Sequence, residues 1–188
     1  MKKLSQSGFS VIILIVIIVL AVVGVGFIVW KQGWIGKTTS WKTFTSVDND
    51  ATFQYPENLP ASPAGGSTIY IHPQEWPPKL LIIDNAGFSC EEGGLGINGL
   101  PGMTIQKQIN NIVYCIENTS EGAAGTIYTD YTYTFLKDSR LVKLSFTLAY
   151  PQCENYSDSQ KTECEQERQT FDLDTLINRI AESVQLWK

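Results

Sequence analysis

One histidine and two methionines stand among 188 residues, and the four cysteines include no Cys-x-x-Cys pair. Scarce histidine argues against His-relay catalysis and most metallohydrolase sites, and the missing pair argues against zinc ribbons and dithiol redox centres. No Gly-x-Ser-x-Gly elbow is present to carry a hydrolase nucleophile. Basic residues are also few, 14 Lys and Arg against 19 Asp and Glu. A nucleic-acid partner needs a basic face toward the phosphates, so none is expected. The length excludes a large multidomain enzyme but leaves enough chain for one well-buried core. No catalytic, cofactor-binding or metal-ligating set is therefore expected, and the chain reads as a non-enzyme.

Charge is missing altogether from Phe9 to Trp30, 22 residues of almost purely apolar chain. As a helix this run is about 33 Å long, matching a hydrocarbon core of about 30 Å. It is longer than the apolar region of a cleavable signal and lacks a small-x-small cleavage site, so it reads as an uncleaved anchor that contacts the lipid bilayer through residues 9–30. The expected layout is a cytoplasmic amino terminus (1–8), a transmembrane helix (9–30), a polar linker (31–40) and one domain (41–188). Lys2 and Lys3 before the span and Lys31 and Lys37 after it barely bias orientation. The domain decides it: beyond Lys37 lie 10 basic residues, all 19 acidic ones and all four cysteines. An acidic, cysteine-bearing domain belongs outside the cell membrane, where thiols oxidise.

Lys2, Lys3, Gly8, Phe9 and Ser10, followed by the apolar run, resemble the class III leader of type IV pilins and pseudopilins, which a prepilin peptidase cuts between Gly and Phe. The resemblance covers about 25 residues. It implies a pilin-like subunit of a surface filament or secretion assembly. Ile13 stands where those proteins carry a glutamate, and Gly33 and Gly36 end the helix early where theirs continues.

From Trp41 the pattern alternates between apolar and polar, the period of strands. Strands are expected at Thr52–Tyr55, Thr68–His72, Leu80–Asp84 and Ile112–Glu117. The clearest hairpin joins Ile127–Phe135 to Leu141–Tyr150 through the turn Lys137-Asp138-Ser139-Arg140. A polar insertion follows Pro151, with Glu163, Glu165 and Glu167 along a solvated edge. From Leu173 the period becomes helical: Leu173, Leu176, Ile177, Ile180 and Val184 share one side, with Asp172 as N-cap and Phe171 stapling against Leu176. The fold class expected is α+β, an N-terminal transmembrane helix followed by an antiparallel sheet packed by a C-terminal helix.

Trp41-Lys42-Thr43-Phe44-Thr45-Ser46, Phe53-Gln54-Tyr55-Pro56 and the helix start Phe171-Asp172 resemble PsbP/Mog1-like domains of anchored bacterial proteins, over about 30 residues. Leu59 and Ala51 replace an aromatic and a glycine common there. The resemblance implies an α+β domain of a kind whose members bind proteins or have no known activity, and a shared fold by itself carries no function across.

Four cysteines allow three pairings; the one favoured joins nearest neighbours, Cys90 to Cys115 and Cys153 to Cys164. Gly94-Leu95-Gly96-Ile97-Asn98-Gly99 matches the dinucleotide-binding spacing. Glu91 and Glu92 before it would repel a pyrophosphate, and Leu100-Pro101-Gly102 after it breaks a helix. The segment reads instead as an exposed loop anchored by Cys90, with Glu91, Glu92, Leu95, Ile97, Asn98, Leu100 and Met103 as candidate partner contacts. His72 lies near a strand end without an evident nucleophile. Asp48-Asn49-Asp50 reads as a turn rather than a calcium loop. Asn118-Thr119-Ser120 and Asn155-Tyr156-Ser157 match glycosylation sequons. Tyr131, Tyr133 and Phe135 read as sheet packing rather than a ligand-stacking stripe. The function expected is a noncatalytic interaction module with a protein or envelope partner; a pilin-like subunit and an envelope hydrolase are the alternatives.

Overall fold

A computed structural model describes residues 40–61, 66–95 and 101–187, within the unit Lys37–Lys188. The Phe9–Trp30 span and most of the linker lie outside these residues; among the described ones, no helix is long and apolar enough to cross a membrane.

The domain is α+β, with antiparallel strands dominating. Two sheets form where one was expected. The smaller has β1 (Trp41–Thr45), β2 (Ala51–Pro56) and β10 (Gln185–Leu186), in the order β1-β2-β10. The larger has β3 (His72–Pro73), β4 (Lys79–Ile83), β5 (Gly93–Leu95), β6 (Pro101–Ile109), β7 (Ile112–Ala123), β8 (Thr126–Lys137) and β9 (Arg140–Pro151). Its order is β3-β9-β8-β7-β6-β5, with β4 also paired to β9.

The expected β8–β9 hairpin forms and runs the full length of both strands, from Lys137↔Arg140 to Thr126↔Pro151. Asp138 and Ser139 both take positive φ, 50° and 62°. That two-residue turn matches the twist of the flanking strands and locks their register. The next turn back uses Ala124 and Gly125. At Gly125 a Cβ would meet the Asn155 amide at 2.5 Å, so glycine serves both its φ of 77° and the close approach.

Alternation puts Tyr133 and Phe135 of β8 on the same face as Val142, Leu144, Phe146 and Leu148 of β9, and all are buried. Against that face packs α2 (Leu173–Glu182) with buried Leu176, Ile177, Ile180 and Ala181. Each large apolar side chain buried there contributes about 1.5–3 kcal/mol. Polar joints fix the helix on the sheet. The Tyr114 hydroxyl donates to Asn178 Oδ1 at 2.9 Å, and Asn178 Nδ2 donates to Glu182 Oε1 at 2.7 Å. The Tyr133 hydroxyl donates to Asp174 at 2.9 Å, and Lys107 pairs with the same carboxylate. Burial raises the pKa of both tyrosines, so each stays a donor.

The polar insertion is a second helix, α1 (Asp158–Thr170). It shows no apolar stripe because its docking is polar and covalent. Glu167, expected on a solvated edge, is 8% exposed. Its carboxylate accepts the backbone N–H groups of Ile69 (2.6 Å), Tyr70 (2.8 Å) and Ile71 (2.7 Å). Those donors are why Thr68–His72 is not a strand: only His72 and Pro73 join the ladder. Glu163 accepts from the Tyr70 hydroxyl at 3.1 Å.

Glu167→Ala should strand these donors and lower unfolding free energy by about 2–4 kcal/mol, measured in urea, whereas Glu165→Ala changes it little. Asp172 caps α2 by accepting from the Thr175 N–H at 3.0 Å. That backbone bond first, and the Thr175 hydroxyl second, hold its carboxyl below the usual range. A depressed folded pKa stabilises above the ordinary carboxylate value, and the contribution disappears as pH falls through the folded value. Asp172→Asn keeps the cap without the charge. The stability of wild type relative to this variant should therefore fall on acidification from about pH 5 toward pH 2, read from urea midpoints.

Candidate functional site

The strand order creates a topological demand. β4 lies beside β9 and β5 beside β6, so the chain between them must cross β9, β8, β7 and β6. That is about 24 Å at the usual strand spacing, within the roughly 30 Å that Asp84–Glu92 can span when extended. The cysteines identify the face crossed. Cys115 neighbours Tyr114, whose hydroxyl meets α2, so by alternation Cys115 points to the opposite face. Cys90 is bonded to it, with Cα atoms 5.3 Å apart. The segment is therefore a strap over the face away from α2. Cys153 and Cys164 form the other bridge, joining a 3-10 turn (Cys153–Asn155) to α1 with Cα atoms 5.7 Å apart. Both bridges are the nearest-neighbour pairs.

Glu92 completes the anchorage, its Oε1 accepting the Gln106 N–H at 2.8 Å. Beneath the strap's anchor, Thr134 sits directly across from Cys115; it is 5% exposed and its hydroxyl has no partner among the described residues.

At its other end the strap opens into a cleft of about 740 Å³. Asp84 and Asn85 line it together with Asp138, Ser139 and Arg140 of the β8–β9 turn, Asp50 of the turn before β2, and Leu186 and Trp187. Asn85 takes φ of 56°, turning the chain off β4. Arg140 forms the floor: its side chain is 20% exposed, Nη1 donates to the Trp187 carbonyl at 3.2 Å, and Nε lies 3.9 Å from Asp84 Oδ1. Three carboxylates against one guanidinium leave the cleft negative. Trp187, 44% exposed, offers an apolar wall.

The described members of the candidate loop expected from sequence fall on separate elements. Glu91 and Glu92 are exposed on the strap, Leu95 ends β5, and Met103 lies within β6. Met103 pairs with Asn118, which pairs with Tyr131, so it occupies the face opposite the strap. Met103 thus lies on the other sheet face from the Cys90–Cys115 bridge. Ile97, Asn98 and Leu100 lie outside the described residues. His72 is exposed and pairs with Ala149. Asp48-Asn49-Asp50 is a turn, with Asn49 at φ 53° and Asp50 accepting from the Ser46 hydroxyl at 2.6 Å. Tyr131 stacks on Phe146 with centroids 5.4 Å apart, and its hydroxyl lies 3.2 Å from that of Tyr150, which accords with packing. Asn118 is half-buried in β7, while Asn155 is exposed.

Sequence reasoning missed the cleft because its residues come from four separate segments, each an ordinary turn or strand end. No protein-family model matches the sequence, and no curated protein or solved structure matches it either.

The strap depends on its covalent anchor. Replacing Cys90 and Cys115 together by serine should cost about 3 kcal/mol of stability and expose Asp84–Glu92 to limited proteolysis under native conditions. Mass spectrometry of the fragments would locate the cut; equal protection of both proteins would refute the assignment.

Proposed function

We propose that this chain is a membrane-anchored, extracytoplasmic module that binds a protein or envelope component and catalyses no reaction. The observation that carries the reading is that all four cysteines are consumed in two bridges within the folded domain. Such staples persist where thiols oxidise, which, joined to the 22-residue apolar run, favours a domain held outside the cell membrane. The PsbP/Mog1-like resemblance read from the sequence implies a fold whose members bind proteins or have no known activity, which favours binding over catalysis.

The strap and cleft supply a contact face of a familiar kind, turns and a loop held on a rigid sheet. The domain's acidic balance and the three cleft carboxylates favour a partner that brings cationic groups. Partner contact at the Asp84 end of the strap follows from this reading.

Crosslinking in intact cells, followed by capture of the full chain, tests location and partner together. The expected result is an adduct with an envelope component that a membrane-impermeant reagent can form and that Asp84→Lys with Asp138→Lys reduces several-fold. Turnover of a substrate in a hydrolase panel, lost in His72→Ala, would overturn the noncatalytic reading, as would adducts formed only by permeant reagents.

A further inference from the structure

The two disulfide bridges differ in how far solvent reaches them. Cys153 and Cys164 are 2% and 0% exposed, packed with Tyr70 and Tyr156 in a small core of their own. Cys115 is 3% exposed within β7, but Cys90 is partly exposed on the strap. The strap around it is thinly held. Gly87, Ser89 and Glu91 are exposed, and among the described residues no backbone hydrogen bond joins Gly87–Glu91 to the sheet. On either side the chain is secured without the bridge, by β4 on β9 and by β5 on β6. Opening Cys90–Cys115 therefore frees a short segment and leaves the sheet in place.

Thr134 supplies a second observation. It lies directly across from Cys115 on the same sheet face, and its buried hydroxyl has no partner among the described residues. Residues so paired hold their Cβ atoms about 4.5–5.5 Å apart, close enough for a hydroxyl to reach the sulfur opposite. A bridged sulfur is a weak acceptor, whereas a thiolate, being charged, is a strong one. The orphan hydroxyl gains a partner when the bridge opens.

We propose that Cys90–Cys115 is a reducible latch, opened by an external dithiol that attacks Cys90 Sγ. The attacking thiolate bonds to Cys90 Sγ, the bond to Cys115 breaks, and Cys115 leaves as a thiolate that accepts from the Thr134 hydroxyl and then takes up a proton. The second thiolate of the dithiol displaces Cys90 from the mixed disulfide, so the dithiol is oxidised by two electrons and the bridge reduced by two. Burial shields Cys115 from direct attack. Asp84 and Asn85, at the other end of the strap, line the cleft, so the latch governs one of its walls. The exchange itself does not depend on what the cleft binds, and it stands or falls apart from that reading.

The test uses the full chain in detergent, treated with dithiothreitol without denaturant, alkylated at intervals and mapped by mass spectrometry. Cys90 and Cys115 should be alkylated roughly tenfold faster or more than Cys153 and Cys164. Asp84–Glu92 should then become open to protease, and protected again on reoxidation. Glutathione, which lacks a second thiol to finish the exchange, should be found on Cys90. Thr134→Val, close in shape to threonine, should slow the opening of this bridge roughly fivefold by removing the donor to the leaving thiolate. The opening rate of Cys153–Cys164 and the circular dichroism should not change, whereas a merely structural role would not slow one bridge alone. Equal rates at the two bridges, glutathione on Cys115, a strap still protected after reduction, or an unchanged rate in Thr134→Val would overturn the proposal.

Discussion

The register of β8 against β9 is the constraint from which the remaining architecture follows. In a strand, successive side chains point to opposite faces, so one slip would move Tyr133 and Phe135 out of the core and Thr132 and Thr134 into it. The turn at Asp138-Ser139 prevents that slip by accepting two left-handed residues in place of a longer loop. Once the faces are assigned, α2 has an apolar floor to lie on. The opposite face is left for the strap, and Cys115 is presented to Cys90 there.

The two helices are held by different physics. The α2 helix carries an apolar stripe, and the hydrophobic effect alone would bring it to the sheet; Tyr114, Tyr133 and Lys107 then set its position by bonding Asn178 and Asp174. The α1 helix has almost nothing apolar to bury. It is held by one carboxylate that takes three backbone donors and by one disulfide. A buried charge is tolerable in such a place only because hydrogen bonds replace the water it loses. The small size of the domain makes covalent staples useful to both attachments.

Much of the scaffold was legible in residue patterns. The alternation in Tyr131–Phe135 and Leu144–Tyr150 marked the central hairpin, and the apolar spacing of Leu173, Leu176, Ile177 and Ile180 marked α2 with its Asp172 cap. The polar run after Pro151 was misread because α1 lacks the amphipathic period that signals a helix. Ile69–Ile71 looked like a strand because it is apolar and β-prone, but its donors turn to a side chain 96 to 98 residues away. Nothing local to Tyr70 announces Glu167. The Gly-rich segment looked uniformly loop-like, although Gly93–Leu95 and Pro101–Ile109 form strands by pairing with each other and, for β6, with β7.

Composition and local period were enough to establish the charge-free 22-residue run, the acidic balance beyond it, the β-rich body with its late helix, and the absence of a familiar catalytic motif. Those are properties of neighbouring residues, and short-range sterics and hydrophobic periodicity express them directly. Which sheet face the strap crosses, why Glu167 is buried, and how Asp50, Asp84, Asp138 and Arg140 come to share a cleft were decided by strand order. Strand order brings residues together across long stretches of chain, and no local pattern records those distant meetings.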